Sequence, residues 1–381
     1  MSIIKSNIFF DNNATTPLSS EVLSVVTLSQ ETIYGNPSSI TKEGRFAKNQ
    51  LITARKQIAR LLKCQSNEII FTSGGTESLY SLIHGICKNK QKPIITTAIE
   101  HKSVLFAIED THLPTKYLSV DQSCTPCLIE LNTFLKEGAS AIVLSLVNGE
   151  TGSILPVKEI AAIADQYNVP LILDGVAALG KIPIIIYPGV TGIAFSGHKC
   201  HGPKGTGFFY LSAKVPFTPI FRGGMQENGF RSGTENVPGI LGLAKAIEEI
   251  SEEKMAYIKS LRDDFERKIK QEFPDSSVNG GENRASNVSN MYFENIDGDH
   301  LLIYLDQNGI SASLGSACAS GSLSPSHVLL GIGCSRQHAR SSLRFSFSGM
   351  NTFEEITRAC HLLHLYKETS TSLFLSVSHT S

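Results

Sequence analysis

The residue with the most chemical potential is Lys199, in the run Gly192-Ile193-Ala194-Phe195-Ser196-Gly197-His198-Lys199-Cys200-His201-Gly202-Pro203-Lys204-Gly205. A small, apolar stretch ends there in a hydroxyl, a glycine, a histidine and a lysine, and the Gly/Pro turn that follows admits neither helix nor strand. Lys199 is therefore expected at the end of a buried strand. A partly desolvated amine there has a lowered pKa and can form a Schiff base with an aldehyde cofactor, whereas a solvated lysine in a turn fits this stretch alone equally well. A second strand end tips the balance. In Pro170-Leu171-Ile172-Leu173-Asp174-Gly175 an aspartate closes an apolar run. Burying it is costly unless a cation meets it, and the protonated nitrogen of a pyridine would do so. Asp174 and Lys199 together point to pyridoxal 5'-phosphate.

Two more stretches carry chemistry. Ile69-Ile70-Phe71-Thr72-Ser73-Gly74-Gly75-Thr76-Glu77 reads as a strand, a glycine turn and a helix start. Free backbone N–H groups and a threonine hydroxyl at a helix N-terminus make a phosphate site, so Gly75 and Thr76 are the candidates for the cofactor phosphate, with a plain N-cap as the alternative. Ser311-Ala312-Ser313-Leu314-Gly315-Ser316-Ala317-Cys318-Ala319-Ser320-Gly321-Ser322 is almost all small residues. Such a segment buries little area and should move, so Cys318 could visit a substrate and then a partner; a small buried thiol is the alternative.

Several elements must position these groups. Strand and helix patterns alternate from 69 to 212, with a strand in the stretch 93–103 that ends in Glu100-His101, strands at about 115–120 and 141–147 and helices near 127–137 and 157–167. The implied fold class is α/β, a mostly parallel central sheet with helices on both faces, plus a smaller α+β domain; ligands then gather at the C-terminal ends of the strands. Thr76, His101, the Asn148 loop, Asp174 and Lys199 all fall at such ends. A long helical pattern from Gly239 to about Phe273 is expected to lead into the small domain. The expected division is 20–258 as a large cofactor-binding domain, and 1–19 with 259–381 as a small domain bearing an N-terminal arm and, from 367, a loosely held C-terminal tail.

The totals bound the class. With 381 residues, 41% hydrophobic, and a formal net charge of −1, the chain suits a packed soluble protein and shows no nucleic-acid footprint. No secretory leader and no apolar run near the roughly 20 residues of a membrane span are visible, so a cytoplasmic location is expected. The eight cysteines have no framework spacing. Only Cys124-Thr125-Pro126-Cys127 resembles a metal or redox pair, and without a second pair it reads as a turn with two incidental thiols, so no metal site is assigned.

Asp174 with Ser196-Gly197-His198-Lys199, the opening Asp11-Asn12-Asn13-Ala14-Thr15-Thr16-Pro17 and the Cys318 segment together resemble the cysteine desulfurases of the NifS and IscS types, class V aminotransferases of the type I pyridoxal-phosphate fold. The resemblance runs from about 8 to 356. It implies that L-cysteine becomes L-alanine while Cys318, as thiolate, keeps the sulfur as a persulfide for an acceptor such as an iron–sulfur scaffold protein. It assigns Lys199 the proton shuttle, His101 stacking on the pyridine ring and proton movement, Asp174 the ring nitrogen, and Thr76, Ser196 and His198 the phosphate. It also gives Arg344 the substrate carboxylate, and Thr234, in Arg231-Ser232-Gly233-Thr234, the phosphate of the neighbouring subunit's cofactor in a homodimer. The chain departs from the family pattern at Thr41 (usually histidine), at Leu79-Tyr80 (usually polar), and at Gly149 and Ala177, where the family's asparagine and glutamine normally bond the ring hydroxyl. The last two suggest looser cofactor binding and a slow enzyme. A selenocysteine lyase, an aminotransferase of the same fold and a low-activity scaffold remain open as alternatives.

Overall fold

The computed structural model describes residues 7–315 and 324–377, with side chains described to 369. The chain enters through a two-residue strand, β1 (Ile8–Phe9), whose parallel partner is far along the chain at Ile310 and Ser311. This arm, Gly149–Ser153 and the residues from Glu252 onward form one compact unit; Thr15–Asn148 and Ile154–Ser251 form the other. The divides thus fall a few residues before the expected 19/20 and 258/259. One reason is that Thr16 and Ser19 bond to His198 and Glu249 within the larger unit.

In the larger unit, α1 (Ser20–Thr32) and α2 (Lys42–Leu62) each start on a hydroxyl that accepts a first-turn N–H: Ser19 from Val22 and Thr41 from Gly44. Thr41 thus serves as an N-cap. There follow β2 (Ile69–Thr72), α3 (Gly75–Cys87), β3 (Ile94–Thr97), α4 (Lys102–Glu109), β4 (Thr115–Leu118), α5 (Leu128–Glu137), β5 (Ala141–Ser145), α6 (Val157–Gln166), β6 (Leu171–Asp174), β7 (Val190–Ser196), β8 (Gly207–Leu211) and α7 (Val237–Glu248). The strands pair in the order β2-β8-β7-β6-β5-β3-β4, and only the pairings of β8 with β2 and β7 are antiparallel. Central strands such as Leu171-Ile172-Leu173 are buried on both faces, as a parallel sheet covered by helices requires. Helix α3 packs on this sheet through Leu79, Leu82, Ile83 and Ile86, so the unexpected Leu79 is a core residue. Tyr80 donates to Asp110 Oδ2 at 2.8 Å and stacks on His84, which explains its presence too.

The smaller unit continues with α8 (Glu252–Glu272), β9 (Ser277–Val278), β10 (Val288–Tyr292), α9 (Gly298–Gln307), β11 (Ile310–Ser311), α10 (His327–Gly331), α11 (Arg336–Arg340), β12 (Ser342–Ser346) and α12 (Phe353–Val377). Strands β12, β10 and β9 form an antiparallel sheet over a core that includes Phe10, Phe265, Phe345 and Phe347.

Two expectations are corrected here. The helical pattern from 239 to 273 is two helices, because Glu252 and Glu253 open a new first turn, where carboxylates favour the positive end of a helix dipole. The expected loose tail is helical as far as Val377. No glycine or proline interrupts α12, and Lys367 ties it down by donating to the Glu272 carbonyl and lying over the Phe273 ring. Among the described residues no helix is long and apolar enough to cross a membrane.

Candidate active site

The C-terminal ends of β6 and β7 meet the start of α3, where Gly75 faces Val176 and Ser196. This helix begins after Gly74 with no side-chain cap, and the N–H groups of Gly75 and Thr76 have no partner among the described residues. Two glycines allow the close approach of chains around them. A Cβ on Gly75 would lie 2.5 Å from Val176 Cγ2, and one on Gly207 2.6 Å from Gly74 Cα. Beside these N–H groups is a cavity of about 400 Å³, whose lining includes Ser73, Gly75, Thr76, Ser196, His198 and Lys204. His198 Nδ1 is 3.1 Å from Thr15 Oγ1, and its pKa is pushed down to about 4, first by burial and then by the charges of Lys199 and Lys204. Open N–H donors, a helix N-terminus, hydroxyls and clustered basic side chains make this a place for an anion.

Asp174 ends β6, buried, with Oδ1 accepting from Val176 N at 2.9 Å. Burial raises its pKa, while that bond and the positive charges of His101 and Lys199 work in the opposite direction. The fold therefore brings Asp174, His101 and Lys199, distant in sequence, within electrostatic reach of one another. Lys199 closes a single turn of 3-10 helix directly after β7. His101 caps α4, its Nδ1 accepting from Ser103 N at 3.1 Å.

The sequence reading missed Glu100. Its buried carboxylate bridges Thr97 Oγ1 and Ser145 Oγ, and Ser145 pairs in register with Asp174. Burial pushes its pKa up to about 7, with a further push from Asp174. The signal was an acid directly beside His101 at the end of an apolar strand.

Thr234 does not join the cavity. It is exposed on the loop spanning 221–236, which is held by Arg55 on Glu227, both bonds at 2.6 Å, and by Arg231 on Glu77 at 2.7 Å.

In the smaller unit, Arg344 is buried on β12, donating through Nη2 to Asp11 Oδ1 at 2.8 Å and through Nη1 to the Gly149 carbonyl at 3.0 Å. Its Nε is buried with no hydrogen-bond partner among the described residues. The Gly149 carbonyl also accepts from Asn13 Nδ2 at 2.8 Å, so position 149 works through its backbone. Ser313 exchanges both backbone hydrogen bonds with Arg344, at 3.1 and 2.7 Å. Two residues on is Gly315, whose φ of +101° and closeness to Glu150, 2.6 Å from a Cβ built there, exclude larger residues. Cys318 lies outside the described residues, three positions beyond. Cys124 is buried at φ +62° in a turn that Asp121 organises by accepting from Ser123 N and Thr125 N. Among the described residues no group of three or more His, Cys, Asp or Glu side chains could hold a metal ion.

Comparisons with known proteins give the chain's family. The family Aminotransferase class-V matches residues 8–359. The cysteine desulfurase IscS of Methanosarcina thermophila is 39% identical over 93% of this chain and 91% of its own length. A solved NifS-like protein superposes with a TM-score of 0.88 at 32% identity, covering 96% of this chain and all of that one. The structure of SspA in complex with cysteine has a TM-score of 0.81 at 30% identity, covering 91% of this chain and 100% of that one. By the family match over residues 8–359 and the likeness to these relatives, the chain belongs to the class-V aminotransferases and, within them, to the cysteine desulfurases.

Proposed function

We propose that this protein converts L-cysteine to L-alanine and retains the sulfur as a persulfide on Cys318, with pyridoxal 5'-phosphate bound at the strand ends. The observation that carries the reading is the convergence of a buried acid, a histidine and a lysine, Asp174, His101 and Lys199, in the same unit as a cradle suited to an anion. The donor set fits the cofactor. Gly75 and Thr76 N–H, Ser196 and His198 would hold its phosphate, and Asp174, which burial makes costly to ionise alone, would gain a cationic partner in the ring nitrogen. When bound, the cofactor supplies an aldehyde for Lys199 and a ring that makes the α-proton of an amino acid labile.

The rest is done by the chain. Lys199 Nζ carries the α-proton, and His101, which would hold the cofactor's ring, assists. Arg344 receives the substrate carboxylate, for which its open Nε is a ready donor. Cys318 Sγ, as thiolate, forms the S–S bond to the substrate sulfur as the Cβ–S bond breaks, and the carbon takes a proton to give alanine. The persulfide then passes to an acceptor such as an iron–sulfur scaffold protein. The reading includes a cytoplasmic enzyme, a large and a small domain, and a homodimer in which Thr234 serves the neighbouring cofactor.

The test is to add L-cysteine and a reductant to purified protein and measure alanine and sulfide. Cys318→Ser should abolish sulfide release and keep the bound cofactor, whereas Lys199→Ala should lose the cofactor's visible absorbance. No alanine from the wild type, or amino-group transfer that survives in Cys318→Ser, would point to another enzyme of this fold.

A further inference from the structure

One side chain is out of place in an anion cradle. Glu77, in the first turn of α3, lines the same cavity as Thr76, His198 and Lys204. Its side chain is 10% exposed, and although burial works against its ionisation, bonds from Arg231 and Ser73 outweigh this and hold it below the usual carboxylate range. It is thus a negative charge in a site built for a negative ligand. At the start of α3 it has a structural use, accepting from Ser73 N at 2.8 Å and complementing the helix dipole. Left bare, it would repel a phosphate.

Arg231 covers it. Nε donates to Glu77 Oε1 at 2.7 Å and Nη2 lies 3.4 Å from Oε2, so one guanidinium engages both oxygens. The loop carrying Arg231 has anchors of its own. Glu227 takes both Nη groups of Arg55 and Phe71 N, Gln226 Oε1 accepts from Gly233 N at 3.1 Å, and Ser232 donates to the Gly224 carbonyl at 2.7 Å. The loop is therefore tied down at several points besides the Arg231–Glu77 pair.

We propose that Arg231 is a positioning residue of the phosphate cradle, where it neutralises Glu77 so that the site accepts a doubly charged phosphate. This rests on the reading that the cradle takes the cofactor's phosphate.

The test compares five apoproteins, wild type, Arg231→Gln, Arg231→Lys, Glu77→Gln and the double Arg231→Gln/Glu77→Gln variant, by equilibrium titration with pyridoxal 5'-phosphate and with pyridoxal, which lacks the phosphate. Arg231→Gln should weaken binding of the phosphorylated form by about ten- to a hundred-fold and leave pyridoxal within about three-fold of wild type. The double variant, with no carboxylate left to cover, should return to within about three-fold of Glu77→Gln. Arg231→Lys, which keeps the charge, should bind nearly as wild type. The inference is overturned if Arg231→Gln binds both ligands as wild type does, if it weakens both equally, if the double variant stays as weak as Arg231→Gln, or if Arg231→Lys is as weak as Arg231→Gln. A wild type that binds neither ligand would instead overturn the functional reading.

Discussion

Arg344 shows how much of a residue's role is set by its neighbours. Two of its three nitrogens are committed, Nη2 to Asp11 and Nη1 to the Gly149 carbonyl, and Nε is buried with no partner among the described residues. A buried donor in that state carries a desolvation cost that an incoming carboxylate would relieve. Arg344→Ala should therefore raise KM for L-cysteine by about ten- to a hundred-fold, from the roughly 1.5–3 kcal/mol of a charge-assisted bond, with cofactor affinity nearly unchanged. An unchanged KM would confine Arg344 to holding Asp11 and the 149 turn. The same surroundings bear on the expectation of a loosely held cofactor. Gly149 offers no side-chain amide, but its carbonyl holds both Arg344 and Asn13, and Ala177 is half-buried with no side-chain donor to give.

At the scale of elements, the edge where β3, β5 and β6 end is joined by a carboxyl group. Glu100 follows β3, bonds Ser145 on β5, and Ser145 lies in register with Asp174 on β6. Its folded pKa of about 7 is above the ordinary 4.5, so between those values the folded protein holds a proton that the unfolded chain releases. The stability this contributes is fully present below pH 4.5 and is lost as pH rises toward 7, with a slope of at most about 1.4 kcal/mol per pH unit. Glu100→Gln, which imitates the neutral acid, should remove that slope. Denaturant unfolding of wild type and variant at several pH values between 4.5 and 7 checks this, and parallel curves would mean that Glu100 is ionised in the fold. The strand ends themselves were readable in the sequence, because an apolar run closed by a polar residue and glycine is a local pattern. The break between α7 and α8 was not, since both halves carry helical periodicity and only the charge pattern at Glu252 and Glu253 marks the restart.

At the scale of the whole molecule, the larger unit exposes large apolar residues between 23 and 52: Leu23, Leu28, Tyr34, Ile40, Phe46 and Ile52, with Ile40 at 89%. The proposed second copy of the chain would cover them. Phe46→Glu should shift the protein toward monomer in analytical ultracentrifugation and weaken its hold on the cofactor. A variant that sediments as wild type would remove this stretch from the interface. The sequence by itself determined the α/β class and the candidates Lys199, Asp174, Gly75 and Thr76, because each is written in a short run of residue types whose backbone and solvation preferences act locally. Tertiary structure alone decided that Glu77 meets Arg231, 154 residues away, that Glu100 lies buried beside Asp174, and that the Gly149 carbonyl holds Arg344. The reason is physical: a charge's partner, and the solvent it loses, depend on which strands and loops fold against it, and no local pattern records them.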